Sequence, residues 1–111
     1  MTDLTHVTFD DARILLRDGA LLLDVREDNE WTAGHAPDAR HVPLAEVPDH
    51  LDDLPVGVTI VCVCRSGARS SRAARFLAEQ GRSVVNLEGG MLAWADADGP
   101  LESDLASAEI I

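Results

Sequence analysis

Residues Thr59 to Gly81 read TIVCVCRSGARSSRAARFLAEQG, and this stretch decides the fold: a buried strand, a tight loop opened by Cys64, then a helix. The β-branched run Val58, Thr59, Ile60, Val61 and Val63 is apolar on both faces, as a central parallel strand requires. Arg65, Ser66, Gly67, Ala68 and Arg69 break the strand, with Gly67 supplying the positive φ of a tight loop. Ser70 or Ser71 is expected to cap the helix, whose inner face is Ala73, Ala74, Phe76, Leu77 and Gln80 and whose stop is Gly81. The pattern puts a thiol at the C-terminal edge of a parallel sheet, where such folds bind ligands.

Inward-pointing N–H groups of a short loop make an anion-binding nest, and a helix N-terminus behind it adds about half a positive charge. Both favour thiolate over thiol, and a cysteine so placed has its pKa lowered from about 8.5 to roughly 3.5–7.5. Arg65, Arg69, Arg72 and Arg75 are four of the nine cations in the chain, and no acid occurs between Asp53 and Glu79, so the loop is a basic island. Cys64 therefore reads as a nucleophile. Cys62, inside the strand, reads as core packing. Arg72 and Arg75, on the outer helix face with Glu79, read as solvated charges.

The chain has 111 residues, suited to one domain, and a net charge of -11, which argues against nucleic acid or an anionic membrane as partner. Small anions at a basic pocket remain compatible with it. Lysine is absent, which we read as a coding bias or a solubility trait. Two cysteines one residue apart are badly placed for a framework disulfide, and there is no apolar signal segment or membrane-length run. The expectation is a reduced cytoplasmic protein.

Residues 1 to 7 read as a loose lead-in with an edge strand around His6 and Val7. Thr8, paired with Asp11, opens a helix that buries Ala12, Leu15 and Leu16, has Phe9 or Ile14 at its margins, and stops at Gly19. A buried strand, Ala20 to Val25, carries Asp24 at its end. A helical turn with Glu30 and Trp31, a turn at Pro37-Asp38 and an extended piece at Arg40 to Val42 follow. Leu44 to Leu54 reads as helical in pieces, interrupted at Pro48. Ser83 to Leu87 is another apolar strand, and Glu88-Gly89-Gly90 turns into a helix with Met91, Leu92 and Trp94. Residues 96 to 111 hold five acids and no base, and their ending, Ala108-Glu109-Ile110-Ile111, could dock on the body or a partner. Alternating strands and helices imply an α/β fold with a parallel sheet covered on both sides.

Four segments, LLLDVREDNEW, GHAPDARHVPL, CRSGARSS and NLEGGMLAW, occur in the order and at the spacing of the single-domain rhodaneses, and the chain resembles that sulfurtransferase family from about Val7 to Trp94. The resemblance implies a three-layer α/β/α fold with a central parallel sheet of about five strands, forming one domain over 1–111 with a core at about 7–95 and an acidic extension at 96–111. It implies that Cys64 takes a sulfane sulfur from a donor such as thiosulfate, becomes a persulfide, and passes the sulfur to a thiophilic acceptor such as cyanide or a thiol. The amides of Arg65, Ser66, Gly67, Ala68, Arg69 and Ser70 would hold the outer sulfur as an anion, and Arg65 and Arg69 would attract the donor. No metal or organic cofactor is implied. Partners would be the small sulfur-containing anion, the acceptor and a sulfur-relay protein, acting on a monomer or weak homodimer.

Around this loop Asp24 is expected to fix nearby amides, Arg26 to pair with Glu27 or Glu30, His35 to bond structurally, and Glu88, Gly89 and Gly90 to shape the pocket wall. His6, His41 and His50 stand as unremarkable singles. Trp31 and Trp94 read as core or rim. Asp38 stands where the family commonly has Gly, and Asp tolerates the left-handed backbone that turn needs. Ala36 replaces a larger aliphatic.

The alternatives are a persulfide carrier or regulatory module loaded by a protein partner, and a phosphatase or arsenate reductase of the same fold. Four residues separate Cys64 from Arg69, a smaller loop than the Cys-x5-Arg cradle of the related phosphatases. A redox pair or zinc site at Cys62 and Cys64 is a weak signal, because a Cys-x-Cys disulfide is strained.

Overall fold

The computed structural model describes residues 4–111. Its elements run in the order β1 (His6–Val7), α1 (Phe9–Arg17), β2 (Leu21–Asp24), α2 (Asp28–Ala33), β3 (Arg40–His41), two 3₁₀ turns (Leu44–Glu46 and Pro48–Asp53), β4 (Thr59–Val63), α3 (Ala68–Glu79), β5 (Ser83–Leu87) and α4 (Gly90–Asp96). The five strands form one parallel sheet in the order β1-β5-β4-β2-β3, so the Cys64 strand is the middle one. This is the expected α/β/α sheet, and the expected edge strand at His6 and Val7 lies at one margin.

Period-two alternation along β4 builds both cores. Ile60, Cys62 and Cys64 face α3 and the 3₁₀ turns, packed with Leu23, Ala73, Ala74, Leu77, Val47 and Leu54. Val61 and Val63 face the other way, toward Ala12 of α1 and Met91 and Trp94 of α4. Thr8 caps α1 by accepting from the Asp11 amide at 3.2 Å. Phe9 meets Trp94 edge-on at 5.1 Å between ring centres, which makes it the buried margin of α1, while Ile14 stays 48% exposed. Asp38 takes φ +66, the left-handed turn expected of it.

Two local expectations are corrected. Neither Ser70 nor Ser71 is the cap of α3: Gly67, at φ +118, turns the chain early and the helix begins at Ala68, leaving both hydroxyls for other partners. Gln80 is exposed and not part of the inner face, because the helix ends at Glu79 before its inward stripe comes round again.

At the end of β2, Arg26 is fully buried and pairs with Asp24, Nη2 to Oδ2 at 2.8 Å and Nε to Oδ1 at 3.0 Å. The expected partners Glu27 and Glu30 do not supply the carboxylate. Only the main-chain oxygen of Glu30 is touched, at 3.3 Å, and Gly34 O is met at 2.7 Å. Asp24 also accepts from the Arg26 amide at 3.0 Å. A bidentate pair between positions two apart at the strand end needs no long reach and leaves no buried charge unmatched.

Asp24→Ala strands the buried guanidinium and is expected to cost about 3–5 kcal/mol in urea unfolding, whereas replacing Asp24 and Arg26 together by apolar residues costs less than the single change.

Candidate functional site

β4 delivers Cys64 to the edge of the sheet, where it is 1% exposed and lies under its own loop. The Gly67 amide donates to Cys64 Sγ at 3.1 Å, and the Ser70 hydroxyl lies 3.4 Å from the same sulfur. Burial acts to raise the Cys64 pKa. The Ser70 hydroxyl and the amides of Ser70, Gly67 and Ser66 outweigh it, so the thiol is held below its ordinary value. Cys62, fully buried two residues earlier, is pushed up to about 12 by burial and then by the neighbouring Cys64 charge. It is a packing thiol. Both cysteines are free, and among the described residues no group of His, Cys, Asp and Glu is arranged to hold a metal ion.

Loop amides face the sulfur only if the carbonyls between them are satisfied elsewhere. The amides of Met91 and Leu92, in the first turn of α4, donate to Cys64 O at 2.8 Å and Arg65 O at 3.1 Å. Gly90 makes this approach possible: it has φ +59, and a Cβ there would strike the Arg65 carbonyl at 2.5 Å. Gly89, at φ +77, lies beside Gly67, while Glu88 is an exposed rim residue.

Asn86 is not among the expected site residues. It is buried inside β5, its Oδ1 lies 2.5 Å from the Ser70 hydroxyl, whose one proton is shared between that oxygen and Cys64 Sγ, and it donates through Nδ2 to Ser71 Oγ at 3.0 Å and Gly67 O at 3.3 Å. Its Nδ2 also lies 3.2 Å from His6 Nδ1, so His6 is tied to this network instead of standing alone. The available signal was a lone amide side chain in the apolar strand SVVNL, in register with Cys62.

Arg69 is placed differently from expectation. Its guanidinium grips Glu30 at 2.6 and 2.9 Å. The Arg69 hydrogen bonds hold Glu30 below the usual carboxylate range against burial, and Glu30 in turn moves Arg69 still further from deprotonation. Glu27 and Glu30 close a capping box at the start of α2, which aims the Glu30 side chain at the loop. Arg65 likewise donates from Nε to the main-chain oxygen of Ile111 at 3.0 Å. Both loop arginines thus have partners, while Arg72 and Arg75 are exposed, as expected for solvated charges.

Trp31 is half-buried and sandwiched, with His35 stacked at 3.7 Å on one side and His41 at 4.7 Å on the other. His35 bonds Trp31 O through Nδ1 at 2.7 Å, the structural role expected of it. His41 bonds Arg26 O through Nε2 at 2.7 Å, which makes it part of the α2 bed and not a bystander.

A strand-end thiol in a loop of inward amides, on a five-stranded parallel sheet, can hold an anion against a nucleophilic sulfur. Residues 8–97 match the Rhodanese-like domain family. The chain belongs to the rhodanese family. A sulfurtransferase of Allochromatium vinosum is 39% identical over 84 residues, covering 75% of this chain and 78% of that one. The thiosulfate sulfurtransferase GlpE of Pseudomonas syringae is 32% identical over 95 residues, covering 85% and 90%. A rhodanese-related protein of Thermoplasma volcanium superposes with a TM-score of 0.83 at 26% identity, covering 88% and 97%. Membership of the rhodanese family makes sulfur transfer, as transferase or carrier, the general activity of this chain.

In this rhodanese Ser70→Ala is expected to raise the Cys64 pKa, read as a shift of the thiolate absorbance titration to higher pH, with Cys62 silent until about 12. Glu30 has a lowered pKa in the folded state, so its stabilising pair with Arg69 is complete above the ordinary carboxylate value of about 4.3 and is lost as pH falls through the folded value. Accordingly Glu30→Gln should lower the urea midpoint at pH 7 and have less effect at pH 3.

Proposed function

We propose that the chain is a thiosulfate-type sulfurtransferase working through a Cys64 persulfide. The Cys64 thiolate attacks the sulfane sulfur of the donor, a bond forms between the two sulfurs, and sulfite leaves with the electron pair of the broken sulfur–sulfur bond. Cyanide or an acceptor thiolate then attacks the outer sulfur, and the pair of that second broken bond returns to Cys64. Neither step needs an obligatory general base, because both nucleophile and leaving group are anions.

The observation that carries this reading is the Gly67 amide 3.1 Å from Cys64 Sγ, in a loop of six amides from Arg65 to Ser70 that suits one added sulfur. Asp24, Arg26, His35 and Gly89 serve by fixing the segments around that loop, and Glu88 forms its rim. A second reading, a carrier loaded by a protein persulfide, is favoured by the engagement of both loop arginines, Arg69 with Glu30 and Arg65 with Ile111, which leaves less charge for capturing a small anion.

Intact mass after brief incubation with thiosulfate tests the proposal. The wild type should gain one sulfur atom, Cys64→Ala none, and cyanide should discharge the gain as thiocyanate; Cys62→Ala should behave as wild type. No gain from thiosulfate in a folded protein, together with a gain from a cysteine desulfurase, would establish the carrier reading instead.

A further inference from the structure

The acidic segment after α4 does not leave the body of the protein. Trp94 Nε1 donates to Pro100 O at 2.8 Å, and Leu101 packs on the α1–α4 core. Glu102 and His35 then exchange main-chain hydrogen bonds at 2.8 and 3.0 Å, a single antiparallel bridge. Ser103 Oγ donates to Thr32 O at 2.7 Å, and the Glu109 amide donates to Ala33 O at 3.0 Å. Ile110 packs on the core beneath β4, and Ile111 O takes the Arg65 guanidinium. The path therefore runs over α2 and ends on the residue next to the reactive cysteine.

One feature marks this as a fitted contact and another as a releasable one. Gly34 has extended backbone at φ 175 that any residue adopts, yet a Cβ there would meet the Glu109 amide nitrogen at 2.8 Å, so a side chain at position 34 would push residue 109 away. Glu102, Asp104, Leu105, Ala106, Ser107, Glu109 and Ile111 are themselves exposed, and the Arg65–Ile111 bond is at the surface, so the contact is held at a few points and can be released cheaply.

We propose that residues 102–111 form a strap that withholds Arg65 from anionic donors and so sets the donor preference of Cys64. With the strap seated, Arg65 is bound to a main-chain oxygen and Arg69 to Glu30, and an anion meets only the loop amides. With the strap lifted, the Arg65 guanidinium is free on the loop that opens at Cys64, and small anionic donors are captured better. The proposal rests on the sulfur-transfer reading for the identity of the donor, but its effect on the thiol can be measured without any sulfur transfer.

The test compares alkylation of Cys64 by iodoacetate, an anion, with iodoacetamide, its neutral counterpart, at one pH and followed by intact mass. Three proteins are compared with wild type: the chain ending at Leu101, full-length Gly34→Ala, and the two changes combined, each checked for folding by circular dichroism. The iodoacetate-to-iodoacetamide rate ratio should rise roughly three- to tenfold in the shortened chain and in Gly34→Ala, with no further rise when they are combined. Adding Arg65→Gln should abolish the rise, and KM for thiosulfate should fall in step with it. An unchanged ratio in either folded single variant overturns the strap, and so does an equal acceleration of both reagents, which would mean simple uncovering. A raised ratio with no sulfur uptake from thiosulfate in any protein would support the strap while overturning the thiosulfate reading.

Discussion

Every peptide that aims its N–H at the sulfur aims a carbonyl away from it, and that carbonyl has to be satisfied in a place with little water. The loop after β4 is organised by this requirement. Cys64 O and Arg65 O are met by the first free amides of α4, and Gly67 O by the Ser71 hydroxyl and the Asn86 amide. A helix start has unpaired N–H groups to give, which makes α4 the natural donor. It can come close enough only because Gly90 has no Cβ. The cradle that faces Cys64 is thus the inner side of a structure whose outer side is α4 and β5.

The arginines follow a similar logic. Arg26 binds the carbonyls of Glu30 and Gly34 besides Asp24, Arg82 those of Leu51 and Leu54, Arg40 that of Asp53 and Arg65 that of Ile111. A planar guanidinium can serve several acceptors at fixed angles, which an ammonium on a flexible stem does less well. In a chain with no lysine, the cations read from composition as a solubility trait are largely clasps that join separate loops to the body. Arg26 is the clearest case: it holds the end of β2 to the middle and the C-terminal end of α2, the helix on which Glu30 and Trp31 are mounted.

How much of this could be read in the sequence depended on whether the determinant was local. The apolar runs of β2, β4 and β5, the Thr8 cap, the breakers at Gly19, Pro48 and Gly81 and the placement of Cys64 are all fixed by neighbours within a few residues, and they were legible. The start of α3 was misjudged because two serines with good capping chemistry follow a glycine whose backbone had already made the turn. Glu30 with Arg69, 39 positions apart, and Asn86 with Ser70, 16 apart, become neighbours only through the crossovers of the sheet. Asn86 did leave a trace, a polar side chain in a strand with no polar face to give it. The acidic segment left a trace only in its ending, Ala108-Glu109-Ile110-Ile111, which offered docking on the body or a partner; its route over α2 is set largely by main-chain groups of residues 35, 102 and 109 that carry no sequence signature.

The pairing of the arginines bears on which anion the site suits. A transferring phosphoryl group carries its charge on three equatorial oxygens, and its catalysts set unpaired cations against them. Here the guanidinium that would do so, Arg69, is already held by a carboxylate at 2.6 Å, and the remaining donors are neutral amides and a hydroxyl. Such donors suit a single negative charge localised on one sulfur atom, which needs a few well-aimed dipoles and no counter-ion of its own. Loop length and charge thus both disfavour a phosphoryl substrate, one on steric and the other on electrostatic grounds. Because the amide dipoles are fixed by the α4 and Asn86 contacts, the stabilisation they give to a thiolate would serve equally the proposed persulfide, which extends it by one atom.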